Sequence, residues 1–258
     1  MANLIDTHCH LDYLKPEELS VVLEGLEGSD VKSVITIGVS PDNQKIISEI
    51  ANMDPRIYFT QGLHPHHAAE FNEDFLKSIR TRIENPKCVA VGEIGLDYYY
   101  LKSTKEEQRI AFEAQLQFAI DYNMPICIHT RNAEDDTIAV LNQFKKNLVG
   151  KILIHSFTGT EKLSRFIIEN NYFLSVNGII TFKNAKNISD IIKNFPIENI
   201  LLETDSPYLA PVPHRGKTNT SLYLQHVADG LAKIKEMDRK VLVDLLKKNT
   251  YSFFPKLT

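Results

Sequence analysis

Short apolar runs, rich in Ile, Val and Leu, recur along the chain, and several close on a residue able to hold a cation. They fall at residues 4–7, 33–38, 57–62, 89–93, 126–129, 152–155, 173–176 and 200–203, each of a length that suits a strand. Between most of them lie stretches with helical spacing. The clearest is 106–122, where Ile110, Ala114, Leu116, Phe118 and Ala119 make an apolar face and Pro125 follows the end. The stretches 161–170 and 188–195 repeat the pattern, and 222–235 and 239–248 close the chain. Strands alternating with helices predict an α/β fold, with parallel strands joined by helical crossovers. Eight such runs predict one (β/α)8 TIM barrel over residues 1–258, with an open doubly wound sheet as the alternative. No linker, low-complexity tract or charge block divides the chain, so a single domain is expected.

Length agrees: 258 residues against about 250 for a (β/α)8 barrel. Hydrophobic residues at 43% and charged ones at 24% describe an ordinary globular chain. No apolar stretch approaches the roughly 20 residues of a membrane span, and the N-terminus has no basic segment followed by an apolar signal core. The three cysteines, Cys9, Cys88 and Cys127, are odd in number and lie in or beside strand-like runs. They read as buried free thiols in a reducing compartment, so a cytoplasmic protein without a membrane partner is expected. The net charge of −4, from 29 basic and 33 acidic side chains, argues against a broad phosphate-neutralising surface. An anionic substrate then needs local cationic groups, or bound divalent ions, to draw it in.

The candidate chemistry sits where the apolar runs end. In Asp6-Thr7-His8-Cys9-His10 the two histidines are two apart, so on a strand they face the same way and can grip one divalent ion. Asp6 is in phase with them and is expected to orient a histidine from below. Glu93, His129, His155 and Asp205 follow at the ends of later runs, where a (β/α)8 barrel places its chemistry. Glu93 has two oxygens and can bridge two cations, which a histidine cannot. Strand alternation is expected to put Glu203 and Asp205 on the same side, towards the barrel mouth. Taken singly, these residues have plainer readings: loop histidines, a turn aspartate, a salt-bridged rim glutamate. Six of them at strand ends predict a metal centre of imidazole and carboxylate, suited to zinc, manganese, nickel or magnesium-like ions without selecting one. A metal-dependent hydrolase is the expected class.

These segments resemble the TatD family of metal-dependent deoxyribonucleases in the amidohydrolase superfamily. The likeness runs through Asp6-Thr7-His8-Cys9-His10, Gly62-Leu63-His64-Pro65, Gly92-Glu93-Ile94-Gly95-Leu96-Asp97-Tyr98, Ile128-His129-Thr130-Arg131, His155-Ser156-Phe157-Thr158-Gly159 and Leu202-Glu203-Thr204-Asp205-Ser206-Pro207-Tyr208-Leu209. The resemblance implies two divalent ions per chain, one held by His8, His10, Glu93 and Asp205, the other by Glu93, His129 and His155. It also implies DNA as substrate, with 3′–5′ exonuclease action. Many amidohydrolases bridge their metals with a carboxylated lysine. Lys87, the nearest here, stands before its strand, which leaves Glu93 as the bridge.

Substrate contacts are expected from His64, Arg131 and Arg215. Arg131 is two residues past His129, hence on the same side, and its guanidinium fork suits a phosphodiester. Arg215 and Lys217 lie in the expected loop after the last strand. His64 reads as a phosphate contact, a supporting donor or a loop histidine, and His66 and His67 as loop residues. Asp97, before three tyrosines, reads either as loop structure or as a substrate contact. In the expected reaction a metal-activated water attacks phosphorus and Asp205 takes its proton. Two rival readings are a small-molecule hydrolase (lactonase, amidase or phosphotriesterase) on the same barrel, and a noncatalytic metal- or nucleic-acid-binding protein. The cations disfavour a neutral substrate; the complete ligand set and acidic charge disfavour the second.

Overall fold

In the computed structural model, which describes residues 3–257, each apolar run forms a strand. The strands are β1 (Leu4–Cys9), β2 (Val31–Thr36), β3 (Ile57–Gln61), β4 (Cys88–Asp97), β5 (Ile126–Arg131), β6 (Ile152–Ile154), β7 (Phe173–Val176) and β8 (Ile200–Leu202). Helices α1 (Pro16–Leu26), α2 (Asn43–Met53), α3 (Glu73–Ile83), α4 (Lys105–Asp121), α5 (Glu134–Phe144), α6 (Glu161–Glu169) and α7 (Lys186–Asn194) lie between successive strands, and α8 (Leu224–Lys235) and α9 (Arg239–Phe253) follow β8. The strands pair in parallel in chain order, β1 through β8. Beyond Leu202 the chain reaches β1: Asp205 N–H donates to the His8 carbonyl at 2.9 Å and His10 N–H to the Ser206 carbonyl at 2.7 Å. That contact makes a nearly closed barrel rather than an open sheet.

Strand alternation divides the apolar residues into two sets. Leu4, Val34, Phe59, Val91, Ile128, Ile154, Leu174 and Leu202 pack in one large cluster with helix residues such as Ile47, Ile79, Leu116 and Leu231. Ile5, Ile35, Val89, Cys127, Leu153, Phe173 and Leu201 make the inner cluster, joined by Phe253, Phe254 and Leu257 from the end of the chain. Phe173 opens β7 and lies 5.1 Å from Phe253 between ring centroids. The end of α9 therefore fills the barrel at the amino ends of the strands, and the polar site occupies the other end.

Helix α4 steadies that other end. Its start is fixed by a reciprocal cap, in which Thr104 Oγ1 accepts from Glu107 N–H and the Glu107 carboxylate accepts from Thr104 N–H. Two buried glutamines seven residues apart then grip backbone at the end of β4 and just past the end of β3. Gln108 accepts from Asp97 N–H at 2.8 Å and donates to the Asp97 carbonyl at 3.0 Å. Gln115 does the same for Leu63, at 2.7 and 3.2 Å. Both segments carry site residues, so a single helix face sets the height of His64 and Asp97.

Candidate metal centre

The residues singled out at the strand ends converge. His8 lies on β1 with His10 just past it, Glu93 and Asp97 on β4, His129 on β5, His155 one residue after β6 and Asp205 three residues after β8. His64 follows β3 and joins them.

Glu93 sits at the centre, buried. The pairing of β4 with β5 jumps between Val91↔Ile126 and Ile94↔Ile128, and Glu93 falls in that irregularity, its N–H donating instead to the Gly38 carbonyl at 2.8 Å. Irregularities of this kind re-aim a side chain. Here the carboxylate reaches both halves of the cluster: Oε2 lies 3.4 Å from His8 Nε2, while Oε1 lies 2.9 Å from His129 Nδ1 and 2.8 Å from His155 Nε2. Asp205 Oδ1 stands 3.4 Å from His10 Nε2 and 3.8 Å from His8 Nε2. A little further along β4, Gly95 lets the strands approach: a Cβ there, at φ +137°, meets the His129 carbonyl oxygen at 2.0 Å.

Three groupings of potential ligand atoms arise, each within 4.8 Å: His8 with His10 and Glu93, His8 with His155 and Asp205, and His64 with Glu93 and His129. Glu93 is thus shared by two of the groupings, and His155 falls with His8 as well as near His129. His64 is better suited to donate. Its Nδ1 accepts from His66 N–H at 3.0 Å, so in the neutral ring Nε2 carries the hydrogen, 3.4 Å from Glu93 Oε1. Burial pushes His64 down to about 3, which keeps the ring neutral.

The donor set fits divalent ions. His8 Nε2, which faces Glu93 Oε2 at 3.4 Å, is buried without a hydrogen-bond partner, an arrangement that a bound cation relieves. The electrostatics agree. Burial pushes the Glu93 carboxyl up, but His155, His64 and His129 outweigh it and hold the group well below its ordinary value. Burial pushes His155 down, yet Glu93 and Glu203 raise its proton affinity well above normal. Burial likewise opposes a lowering of Asp205 by His10 and His8. A field that holds a proton this firmly also favours a metal cation.

Supporting carboxylates flank the centre. Glu203 is fully buried, accepting from Ser156 N–H at 2.8 Å, Ser175 Oγ at 2.5 Å and Asn177 Nδ2 at 3.1 Å, with Oε1 3.6 Å from His155 Nδ1. Asp97 Oδ2 lies 3.1 Å from His129 Nε2 and 3.0 Å from His66 Nε2, so it shapes the loop and also braces a histidine. Asp6 differs from expectation. It accepts from the backbone N–H of His8 at 3.4 Å, not from a ring, and its main partners are Thr204 N and Oγ1 at 2.8 and 2.6 Å. Glu203 and Asp205 are not related by strand alternation either, because β8 ends at Leu202 and Asp205 adopts a left-handed conformation, φ 55°.

A cavity of about 690 Å³ opens above the cluster, lined by His10, Tyr13, His64, Glu93, Tyr100, Lys102, His129, Arg131, His155, Asp205 and Tyr208 among others. Arg131 is exposed at its mouth, its guanidinium 4.1 Å over Tyr99 and 4.8 Å over Tyr100. Arg215 lies outside this lining, 4.1 Å over Phe182. Lys87 is remote, tied to the Ala51 and Asp54 carbonyls at the end of α2. Tyr13 and Lys102 gave no signal in the sequence, since one sits in a short turn and the other in a loop.

Comparison with known proteins places this geometry. A family model described as TatD related DNase matches residues 5–255. The metal-dependent hydrolase YabD of Bacillus subtilis is 34% identical over 252 residues, covering 97% of this chain and 98% of its own. A Pantoea vagans protein named as the 3′–5′ ssDNA/RNA exonuclease TatD is 28% identical, over 90% of this chain and 92% of its own. Among solved structures, the TatD homologue YjjV of Escherichia coli superimposes with a TM-score of 0.91 at 27% identity, covering 98% of both chains.

Proposed function

The chain belongs to the TatD family of metal-dependent hydrolases, and from that premise we propose that it hydrolyses DNA phosphodiester bonds, removing nucleotides from a 3′ end with two divalent ions. The observation that carries the reading is Glu93, whose two oxygens face different histidines, Oε2 towards His8 and Oε1 towards His129 and His155. A carboxylate shared in this way would hold a pair of cations. His8, His10 and Asp205 would hold one ion with it, and His129 and His155 the other. Such ions, when bound, acidify water and stabilise charge on a phosphoryl group.

The chain's own residues supply the rest. Asp205, at the edge of the cavity and within 3.4 Å of His10, accepts the proton of the attacking water at its carboxylate. His64 offers Nε2–H as a fixed neutral donor. Glu203 and Asp97 keep the His155 and His129 rings in place through their outer nitrogens. Arg131, exposed beside the cavity, takes a phosphate of the strand. Nucleic acid is supported by the name of the Pantoea relative and by a guanidinium at the mouth, which a neutral ester or lactone does not need.

The test measures metal content and single-turnover cleavage of a single-stranded oligonucleotide side by side. Asp205→Asn keeps the shape and one coordinating oxygen but cannot take up the proton. It should retain most metal while losing about 10²- to 10⁴-fold in rate. Arg131→Ala should lower kcat/KM by about ten- to a hundredfold with metal content unchanged, and Arg215→Ala, outside the cavity, should cost less. Full activity in chelator, or no cleavage of any phosphodiester alongside brisk hydrolysis of neutral esters, would overturn the reading.

A further inference from the structure

Beside His10 the cavity wall turns aromatic. The Tyr13 ring lies nearly parallel to His10, centroids 4.9 Å apart at 9°, and Tyr208 stands edge-on to both at 6.3 Å. Both tyrosines line the cavity. Tyr13 remains 46% exposed and Tyr208 54%, so packing does not account for them. Tyr13 comes from the turn Leu11–Tyr13 after β1, and Tyr208 from the loop after β8. The pair therefore straddles the seam of the barrel, next to His10 and Asp205.

The opposite wall is built differently. Tyr99 and Tyr100 are also exposed, but the Arg131 guanidinium lies over both rings. That wall presents cation rather than open π surface and suits phosphate. Among the described residues no guanidinium or ammonium lies over Tyr13 or Tyr208, and the corner offers exposed ring surface beside His10.

We propose that Tyr13 and Tyr208 form a base-stacking subsite, which takes an unpaired nucleobase of the strand whose phosphate enters the histidine–carboxylate cluster. The inference rests on the reading of this protein as a nuclease and adds how it grips its substrate. Stacking uses the face of a base, which all four bases share, so the subsite tolerates any sequence. A base inside a duplex already has both faces covered and must leave its stack to reach a tyrosine, at a cost of a few kcal/mol. The subsite accordingly selects for unpaired ends.

Binding can be read without cleavage. A fluorescein-labelled single-stranded oligonucleotide is titrated with the full-length protein in chelator and followed by anisotropy. The comparator has the same phosphates but carries abasic nucleotides at its 3′ end. Wild type should bind the base-carrying strand more tightly, and Tyr13→Ala with Tyr208→Ala should remove about five- to a hundredfold of that preference. Tyr13→Phe with Tyr208→Phe, which keeps both rings, should preserve it and so separates stacking from loss of fold. Equal binding of the two strands by wild type, no binding of either, or a preference that survives the double Ala change overturns the proposal. The nuclease reading is judged separately, by adding divalent metal: a strand bound through its bases but never cut sinks that reading and leaves the subsite standing.

Discussion

Asp97 serves four neighbours at once. Oδ2 faces His129 and His66, while Oδ1 accepts from the N–H groups of Tyr99 and Tyr100, both at 2.9 Å. Burial pushes this carboxyl up, but His129 and the Tyr100 N–H outweigh it and hold the group well below its usual value, so it is an anion at neutral pH. An anionic partner on the outer nitrogen fixes the His129 ring and raises its basicity as a ligand. Asp97→Asn keeps the volume and one acceptor oxygen but removes the charge. Competition with a chromophoric chelator should show metal affinity about 10- to 100-fold weaker in this variant. Unchanged affinity would leave Asp97 with the tyrosine turn as its sole task. The sequence left this residue open between loop structure and substrate contact, because its histidine partners lie about thirty residues away in either direction. His8, Glu93 and His155 were legible for the opposite reason: each stands at the end of its own apolar run, a local signal.

The elements tell a similar story at the barrel's seam. All eight strands follow from short apolar runs, but β8 ends at Leu202, and the chain beyond it is set by side chains from β1. Asp6 holds Thr204 through both oxygens, and Thr7 Oγ1 donates to the Leu202 carbonyl at 2.8 Å. Alternation along a strand therefore says nothing about Asp205, which owes its place to this latch and to a left-handed turn. The helices were unevenly legible: α4 buries Leu116, Phe118 and Ala119 as expected but leaves Ile110 exposed, and α1 buries just Val22 and Leu26. The latch has its own pH signature. Burial raises the Asp6 carboxyl from 3.8 to about 6, so the folded state holds this proton more tightly than the unfolded chain. The associated stability is fully present below about pH 3.8 and is lost as pH rises through about 6. Urea unfolding in chelator should find wild type losing up to about 3 kcal/mol relative to Asp6→Asn between pH 4 and pH 7. Parallel pH profiles for the two proteins would show that Asp6 does not titrate as its burial demands.

At the scale of the whole molecule, the barrel is filled from one end and open at the other. No helix among the described residues is long and apolar enough to cross a membrane, and the most polar interior lies at the carboxyl ends of the strands. Phe253, Phe254 and Leu257 occupy the amino-end interior with Ile5, Val89, Phe173 and Leu201, so that end is packed solid. Among the described residues the site then opens at one end, for traffic in both directions. In the proposed reaction a released nucleotide has to depart through the same mouth that the shortened strand still occupies, and each waits on the other. Nucleoside monophosphate should therefore compete with the strand's end, raising apparent KM while leaving kcat unchanged in steady-state assays. Inhibition that lowers kcat alone would mean that product leaves by a route of its own.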